Sequence, residues 1–329
     1  MAQKPKTGSK PPQDGIDKTV NDDVRAVLQN LNKEFKKKYE IGSPDFGDEV
    51  DLSVELYSTG ILSLDEALSG GLPQGRITEF FGEQQSGKSL IAQICVADRQ
   101  RQGKTCVWFD IEQSFSAEWA TQLGVDVPAL VYSSNVMAEE VFDMISSYAS
   151  TGKVDLIVVD SLAALMSQQE LEAEMGARQY SPLAGVLSRV LKKVNPILSK
   201  TGTSLLLINQ VREDMGAMVP TWTTPGGQAL KHFCSTRVHV KKPPASKQLK
   251  QDKDVLGLDI SVKVAKHRGG PNFREAQFRL WYEFGVDKLF DLVQVMLKMG
   301  GLFSQGLPTH LKTRSSLVNR LYLTNLKIM

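Results

Sequence analysis

The sequence predicts an α/β fold in which a mostly parallel sheet is flanked by helices, with a small N-terminal helix-strand element and a small basic C-terminal region. Three observations carry the prediction. Short runs rich in Val, Ile, Leu and Phe alternate with helical patterns downstream of Leu64, the signature of consecutive βα units. Runs such as Leu156-Ile157-Val158-Val159 are continuous rather than alternating, as expected of strands covered on both faces. A glycine-rich octapeptide, Gly82-Glu83-Gln84-Gln85-Ser86-Gly87-Lys88-Ser89, stands between a strand pattern and a helix pattern.

Residues 1–20 are polar and rich in Pro, Gly and Lys, a composition that predicts a disordered tail. Val24, Val27, Leu28, Leu31 and Phe35 then fall at spacings of three and four, a helix with Asn21 or Asp22 as its cap. After a linker at 42–48, Val50 to Leu56 alternates as a half-buried strand does. Residues 21–57 thus form one N-terminal element, 58–284 the core, and 285–329 a small basic C-terminal region. Core strands are expected at 77–81, 105–110, 130–132, 156–160, 204–209 and 236–241, with helices at 88–102, 138–151 and 182–199. Two further strands, 257–265 and 276–281, extend the sheet as a meander, preceded by a charged loop at 241–254 and followed by a helix at 288–299.

A chain of 329 residues, 41% of them hydrophobic, can bury one sizeable core. No stretch reads as a signal peptide or membrane span. The cysteines, Cys95, Cys106 and Cys234, have neither disulfide-framework nor zinc spacing, which points to reduced thiols and a cytoplasmic protein. His232, His239, His267 and His310 are scattered and suggest no metal site. The net charge of +2 conceals an asymmetry: residues 241–329 hold 16 Lys/Arg against 7 Asp/Glu, a net +9 that leaves residues 1–240 at −7. Such a terminal third suits a polyanionic partner, although solvation of a surface accounts for it equally.

The octapeptide matches G-x-x-x-x-G-K-[ST], the P-loop. Its glycines let successive N–H groups approach a β-phosphate, and the N-terminus of the following helix, whose first turn includes Leu90, adds partial positive charge. Lys88 reaches the β/γ-oxygens and the Ser89 hydroxyl ligates Mg²⁺. ATP and Mg²⁺ are the cofactors this implies. Asp160 closes an apolar strand, where it either holds the metal's hydration shell or caps the next helix. Asp110 and Glu112 fall on alternate positions of another strand, so that both can approach the phosphates, Glu112 being the better base. Gln210 ends a third buried strand at the root of a long glycine-rich loop, 211–227, which suits a nucleotide-sensing switch.

With these residues in view, the chain resembles the RecA family of homologous-recombination ATPases from about residue 32 to 284, roughly three quarters of its length. The likeness rests on Ser58-Thr59-Gly60-Ile61-Leu62-Ser63-Leu64-Asp65, Gly71-Leu72-Pro73-Gln74-Gly75-Arg76, the P-loop, Asp110-Ile111-Glu112, Val158-Val159-Asp160-Ser161, Ile208-Asn209-Gln210 and Thr223-Thr224-Pro225-Gly226-Gly227. The resemblance implies that Glu112 activates water, Gln210 senses the γ-phosphate and Trp119 stacks on adenine. It implies that Lys266 and Arg268 reach into the neighbour's ATP site and that the N-terminal element docks on the next subunit of a head-to-tail helical filament. Two loops, near 172–179 and after Gln210, would hold single- and double-stranded DNA. Lys192 and Arg212 occupy family positions there, joined by Gly226 and Gly227; Arg178, Met218, Val219 and Trp222 are further candidates. The implied activity is a DNA-dependent ATPase for strand exchange in recombinational repair and the DNA-damage (SOS) response.

The sequence departs from the family at Gly185, where relatives carry a DNA-contacting arginine, at Ser116, in place of an acidic residue, and in a shorter second loop bearing Trp222 and Pro225. Residues 300–329 are basic and lack an acidic tail, which would fit a divergent or phage-encoded member. A ring-forming motor of the same fold and a non-catalytic filament mediator are the alternative functions.

Overall fold

The computed structural model describes residues 22–39, 53–172, 182–213, 222–244, 248–251 and 254–303, in two units, Met1–Ser53 and Val54–Met329. The described part of the first unit is helix α1 (Asp22–Tyr39). Its apolar residues Val24, Val27, Leu28, Leu31 and Phe35, spaced as an amphipathic helix requires, are exposed.

The second unit opens with β1 (Leu56–Tyr57), α2 (Leu62–Ala67), β2 (Leu72–Pro73), β3 (Ile77–Gly82) and α3 (Lys88–Arg101). It continues through β4 (Cys106–Asp110), α4 (Ala117–Gln122), β5 (Val131–Ser133), α5 (Ala138–Ser150), β6 (Leu156–Asp160) and α6 (Gln168–Glu172). Next come α7 (Pro182–Thr201), β7 (Ser204–Gln210), β8 (Arg212–Glu213), β9 (Trp222–Thr223), α8 (Gly227–Phe233) and β10 (Thr236–Lys241). The last described elements are β11 (Gln248–Gln251), β12 (Asp254–His267), β13 (Glu275–Trp281), β14 (Gly285–Val286) and α9 (Lys288–Phe303).

The main sheet has the order β14-β13-β12-β10-β3-β7-β6-β4-β5. From β10 to β5 its strands run parallel, and β12, β13 and β14 fold back antiparallel to extend it. Continuous apolar strands follow from this layering. On β7, Leu206 and Ile208 enter the cluster that includes Ile91 and Cys95 of α3, while Leu205 and Leu207 enter the one that includes Ile145 of α5 and Leu191 of α7. Each such side chain contributes about 1.5–3 kcal/mol on burial, so both faces demand apolar residues. The connection from β3 through α3 to β4 passes over β7 and β6, a topological switch at which open α/β sheets bind ligands.

Several expectations change. Of the strand predicted over 50–56, only Leu56 pairs, with Pro73; Ser53 to Glu55 are irregular and exposed, and 50–52 lie outside the described residues. Alternation alone does not make a strand without a ladder to join. The loop predicted over 241–254 contains β11, which pairs with β12 across a register shift at Leu249/Lys250. Residues 211–227 are not loop throughout, because Arg212 pairs with Thr223 and Glu213 with Trp222 to make a two-stranded stem. Beyond residue 284, β14 joins the sheet and α9 is tied to α2, whose Ser63 N–H donates to Asp291 Oδ1 at 3.1 Å. All three cysteines are free and buried, and burial pushes the Cys106 thiol up to about 12. Residues 1–20 and 304–329 lie outside the described residues.

Gly82 ends β3 where a Cβ would lie 2.1 Å from the Val240 carbonyl oxygen of β10. At Gly103 (φ +74°) a Cβ would meet nothing within 4 Å. Gly82→Ala therefore lowers stability by about 2 kcal/mol or more through backbone collision, and Gly103→Ala by about 1 kcal/mol through left-handed strain alone. Urea denaturation of the two variants checks this; equal midpoints would contradict it.

Candidate nucleotide-binding site

Four strand ends meet at one edge of the sheet. Register pairs Gly82 of β3 with Gln210 of β7, and Asp110 of β4 with Asp160 of β6. Between them lies a cavity of about 460 Å³ lined by Gln84 to Leu90, Glu112, Trp119, Asp160, Ile208, Gln210, Leu258 and Tyr282. That volume suits a small-molecule ligand.

The P-loop folds by two left-handed residues, Gln85 (φ 59°) and Gly87 (φ 94°). α3 begins at Lys88 with no side chain capping it, so first-turn N–H groups remain available to an anion. Lys88 Nζ donates to the Glu83 carbonyl oxygen at 2.5 Å and to that of Gly82 at 3.2 Å. Burial draws this ammonium's pKa down, against the pull of Asp160, Glu112 and Glu83. Asp160 is 4% exposed, and burial raises its carboxyl to about 7, opposed by the Ser89 hydrogen bond and by Lys88. Ser89 and Asp160 thus form a hydrogen-bonded pair of oxygen donors beside the cavity, a set whose chemistry fits a hard divalent cation.

Glu112 lies just past β4, where its N–H donates to the Asp160 carbonyl oxygen at 3.2 Å. Its Oε1 accepts from the Ser161 hydroxyl and from Gln210 Nε2 at 2.7 Å. Gln210 Oε1 accepts in turn from Gln84 Nε2 at 3.3 Å. The base candidate, the sensor candidate and the P-loop are therefore joined in one hydrogen-bonded chain. Asp110 corrects the expectation that both carboxylates face the phosphates. Buried, it accepts from the Ser114 and Phe115 N–H groups and from the Tyr132 hydroxyl, and so shapes the turn after β4.

Trp119 forms an aromatic wall with Tyr282, their rings 5.2 Å apart and inclined at 60°. Ser116 N-caps α4 by accepting from the Trp119 N–H at 3.2 Å, which gives that departure from the family a local role. Tyr282, Leu258 and Ser161 were not singled out from sequence. Ser161 directly follows Asp160 and was within reach, whereas Tyr282 and Leu258 arrive only through the antiparallel extension of the sheet.

Other candidates lie elsewhere. Lys266 Nζ donates to the Lys231 and His232 carbonyl oxygens at 2.7 and 3.2 Å, and Arg268 to that of His232 at 3.0 Å. Both cations thus grip the C-terminal end of α8 and do not line this chain's cavity. Lys192 is exposed on α7. Gly226 (φ 100°) and Gly227 (φ 67°) start α8. Arg212 and Trp222 stand in the β8–β9 stem; Arg178, Met218 and Val219 lie outside the described residues.

Because the folded chain holds Asp160 near 7 against an ordinary 3.8, its ionisation opposes folding. The penalty is absent below the ordinary value, grows between the two and is complete above about 7. Asp160→Asn therefore raises the Tm of the nucleotide-free protein more at pH 8 than at pH 5. Equal shifts in thermal scans at the two pH values would contradict the assignment.

A family model described as the RecA N-terminal domain matches residues 22–287. Among curated relatives, Protein RecA of Thermus aquaticus is 37% identical over 296 residues, covering 87% of this chain and 86% of that protein. Protein RecA of Aquifex aeolicus is 39% identical over 279 residues, covering 84% and 79%. Protein RecA of Fusobacterium nucleatum is 35% identical over 300 residues, covering 89% and 77%. By the extent of the match and by these relatives, the chain belongs to the RecA family.

Proposed function

We propose that this protein is a DNA-dependent ATPase that assembles as a helical filament on single-stranded DNA and promotes homologous pairing and strand exchange. The observation that carries the reading is the bond between Glu112 and Gln210 at the edge of the nucleotide cavity, on the strand that leads directly into the stem of the second loop. Relatives named Protein RecA in distant bacteria favour this over a ring motor or a non-catalytic mediator.

In this reading the nucleotide is ATP with Mg²⁺, held by the P-loop amides, Lys88, Ser89 and Asp160, with adenine against Trp119. A Mg²⁺ held by Ser89 and Asp160 would supply charge neutralisation for the nucleotide's phosphates. Glu112 orients the attacking water and accepts its proton. Gln210 exchanges its bond to Glu112 for the γ-phosphate, and β7 passes that change to the loop. Lys266 and Arg268 complete the neighbour's site in trans, stabilising charge at the transferring phosphoryl group.

The apolar stripe of α1, exposed in its own unit, docks on the next subunit, a heterologous contact that propagates without closing. Lys192 and Arg212 neutralise DNA phosphates, with Arg178 and the basic 285–329 region adding to the field. Met218, Val219 and Trp222 contact bases. Among the described residues no helix is long and apolar enough to cross a membrane, and the buried free thiols suit the cytoplasm.

Steady-state ATPase assays with and without single-stranded DNA, alongside negative-stain imaging, test the reading. DNA stimulation and open filaments are expected; closed rings, or turnover indifferent to DNA, would overturn it. Glu112→Gln lowers turnover by about 10²–10⁴-fold and leaves nucleotide binding within a few-fold of wild type. Wild-type turnover in that variant would move the base to another residue.

A further inference from the structure

Directly beneath the P-loop lies a buried ion pair that the mechanism above does not use. Glu79, on the strand entering the P-loop, is fully buried, and its Oε2 accepts from Arg237 Nε on β10. Its Oε1 accepts from Asn209 Nδ2 at 2.9 Å. A buried carboxylate is retained at a desolvation cost that apolar residues would avoid, and neither β3 nor β10 needs it to form a ladder.

The partners show what the cluster joins. Asn209 is fully buried; its Oδ1 accepts from the Gln210 N–H at 3.0 Å. Its Nδ2 also donates to the Pro225 carbonyl oxygen at 2.9 Å. Three bonds therefore fix the amide's orientation, since Glu79 and Pro225 offer only acceptors. Arg237 Nη2 reaches Thr224 Oγ1 at 3.4 Å, and its guanidinium lies 4.5 Å over the Phe81 ring. Thr224 and Pro225 close the second loop, while Gln210 opens it. Glu79 is bound to both Asn209 and Arg237, which among the described residues hold the loop's return.

We propose that Glu79 is a positioning residue that couples the nucleotide site to the second loop. Through Asn209 it sets the backbone at Gln210, and through Asn209 and Arg237 it holds the loop's exit at 224–225. A change at Gln210 is thereby transmitted to both ends of the loop together, as a closed hydrogen-bonded ring allows and a free tether does not. The inference rests on the ATPase–DNA reading above and names a device that serves it.

Single-stranded DNA affinity, measured by anisotropy of a labelled oligonucleotide with and without a non-hydrolysable ATP analogue, gives a coupling ratio for each variant. Glu79→Gln keeps the shape of the side chain and removes the charge. It is expected to lower that ratio at least about fivefold, with analogue affinity and DNA-independent ATPase within twofold of wild type. Arg237→Lys keeps a cation beside Glu79 but cannot hold Glu79 and Thr224 in one planar fork. It should lower the ratio in the same direction with little change in Tm, so that misfolding of one variant leaves the other to decide. An unchanged ratio in both variants overturns the positioning role while leaving the ATPase reading intact. So does a parallel fall in analogue binding, basal turnover and Tm, which marks a purely structural pair. A wild-type ratio of one overturns the reading itself, and the positioning role with it.

Discussion

Gln210 Nε2 and Glu112 Oε1 stand 2.7 Å apart, and the working of the site depends on that contact. It joins the end of β7 to the end of β4 across the top of β6, and the hydroxyl of Ser161 on the intervening chain holds the same carboxylate. Because β3, β7, β6 and β4 are adjacent, groups far apart in sequence converge without a dedicated connecting element. On the proposed reading, a γ-phosphate reaching this contact would compete for an amide that already has a partner. Exchange of one hydrogen bond for another involves little net energy, which is the condition for a switch that nucleotide can throw in either direction.

Charge burial supplies the second constraint. Lys88 and Asp160 lie in a site dry enough to draw the ammonium's pKa down and raise the carboxyl to about 7. Each is held by a neighbour, Lys88 by loop carbonyl oxygens and Asp160 by Ser89. On the proposed reading, an arriving polyanion with its cation would meet groups already desolvated and aimed, so that less reorganisation would accompany binding. The same economy appears under the loop, where Glu79, Asn209 and Arg237 satisfy one another.

The sequence discloses what is encoded locally. The P-loop, the strand ending in Asp160 and the parallel βα alternation are contiguous strings whose chemistry depends on neighbours a few residues away, and they stand where the spacing puts them. The family membership follows from several such strings in order. Long-range consequences were not legible in the residues themselves. Asp110 and Glu112 share a strand parity, yet Asp110 turns to the Ser114 and Phe115 amides and to Tyr132, partners that only the turn and β5 supply. Val50 to Leu56 alternates perfectly, but among its described residues, 53–56, only Leu56 has a ladder partner. Glu79 reads as an ordinary polar residue in an apolar strand until Asn209 and Arg237 are brought beside it. Tyr282 reaches the aromatic wall only because β13 folds back on β12.

In the proposed mechanism nucleotide occupancy is read at Gln210. The most direct test measures single-stranded DNA affinity for wild type and Gln210→Ala, each with and without a non-hydrolysable ATP analogue. The account predicts an analogue-dependent rise of at least about tenfold in wild type. In Gln210→Ala that rise should vanish although the variant still binds the analogue. The same rise in Gln210→Ala as in wild type would contradict it.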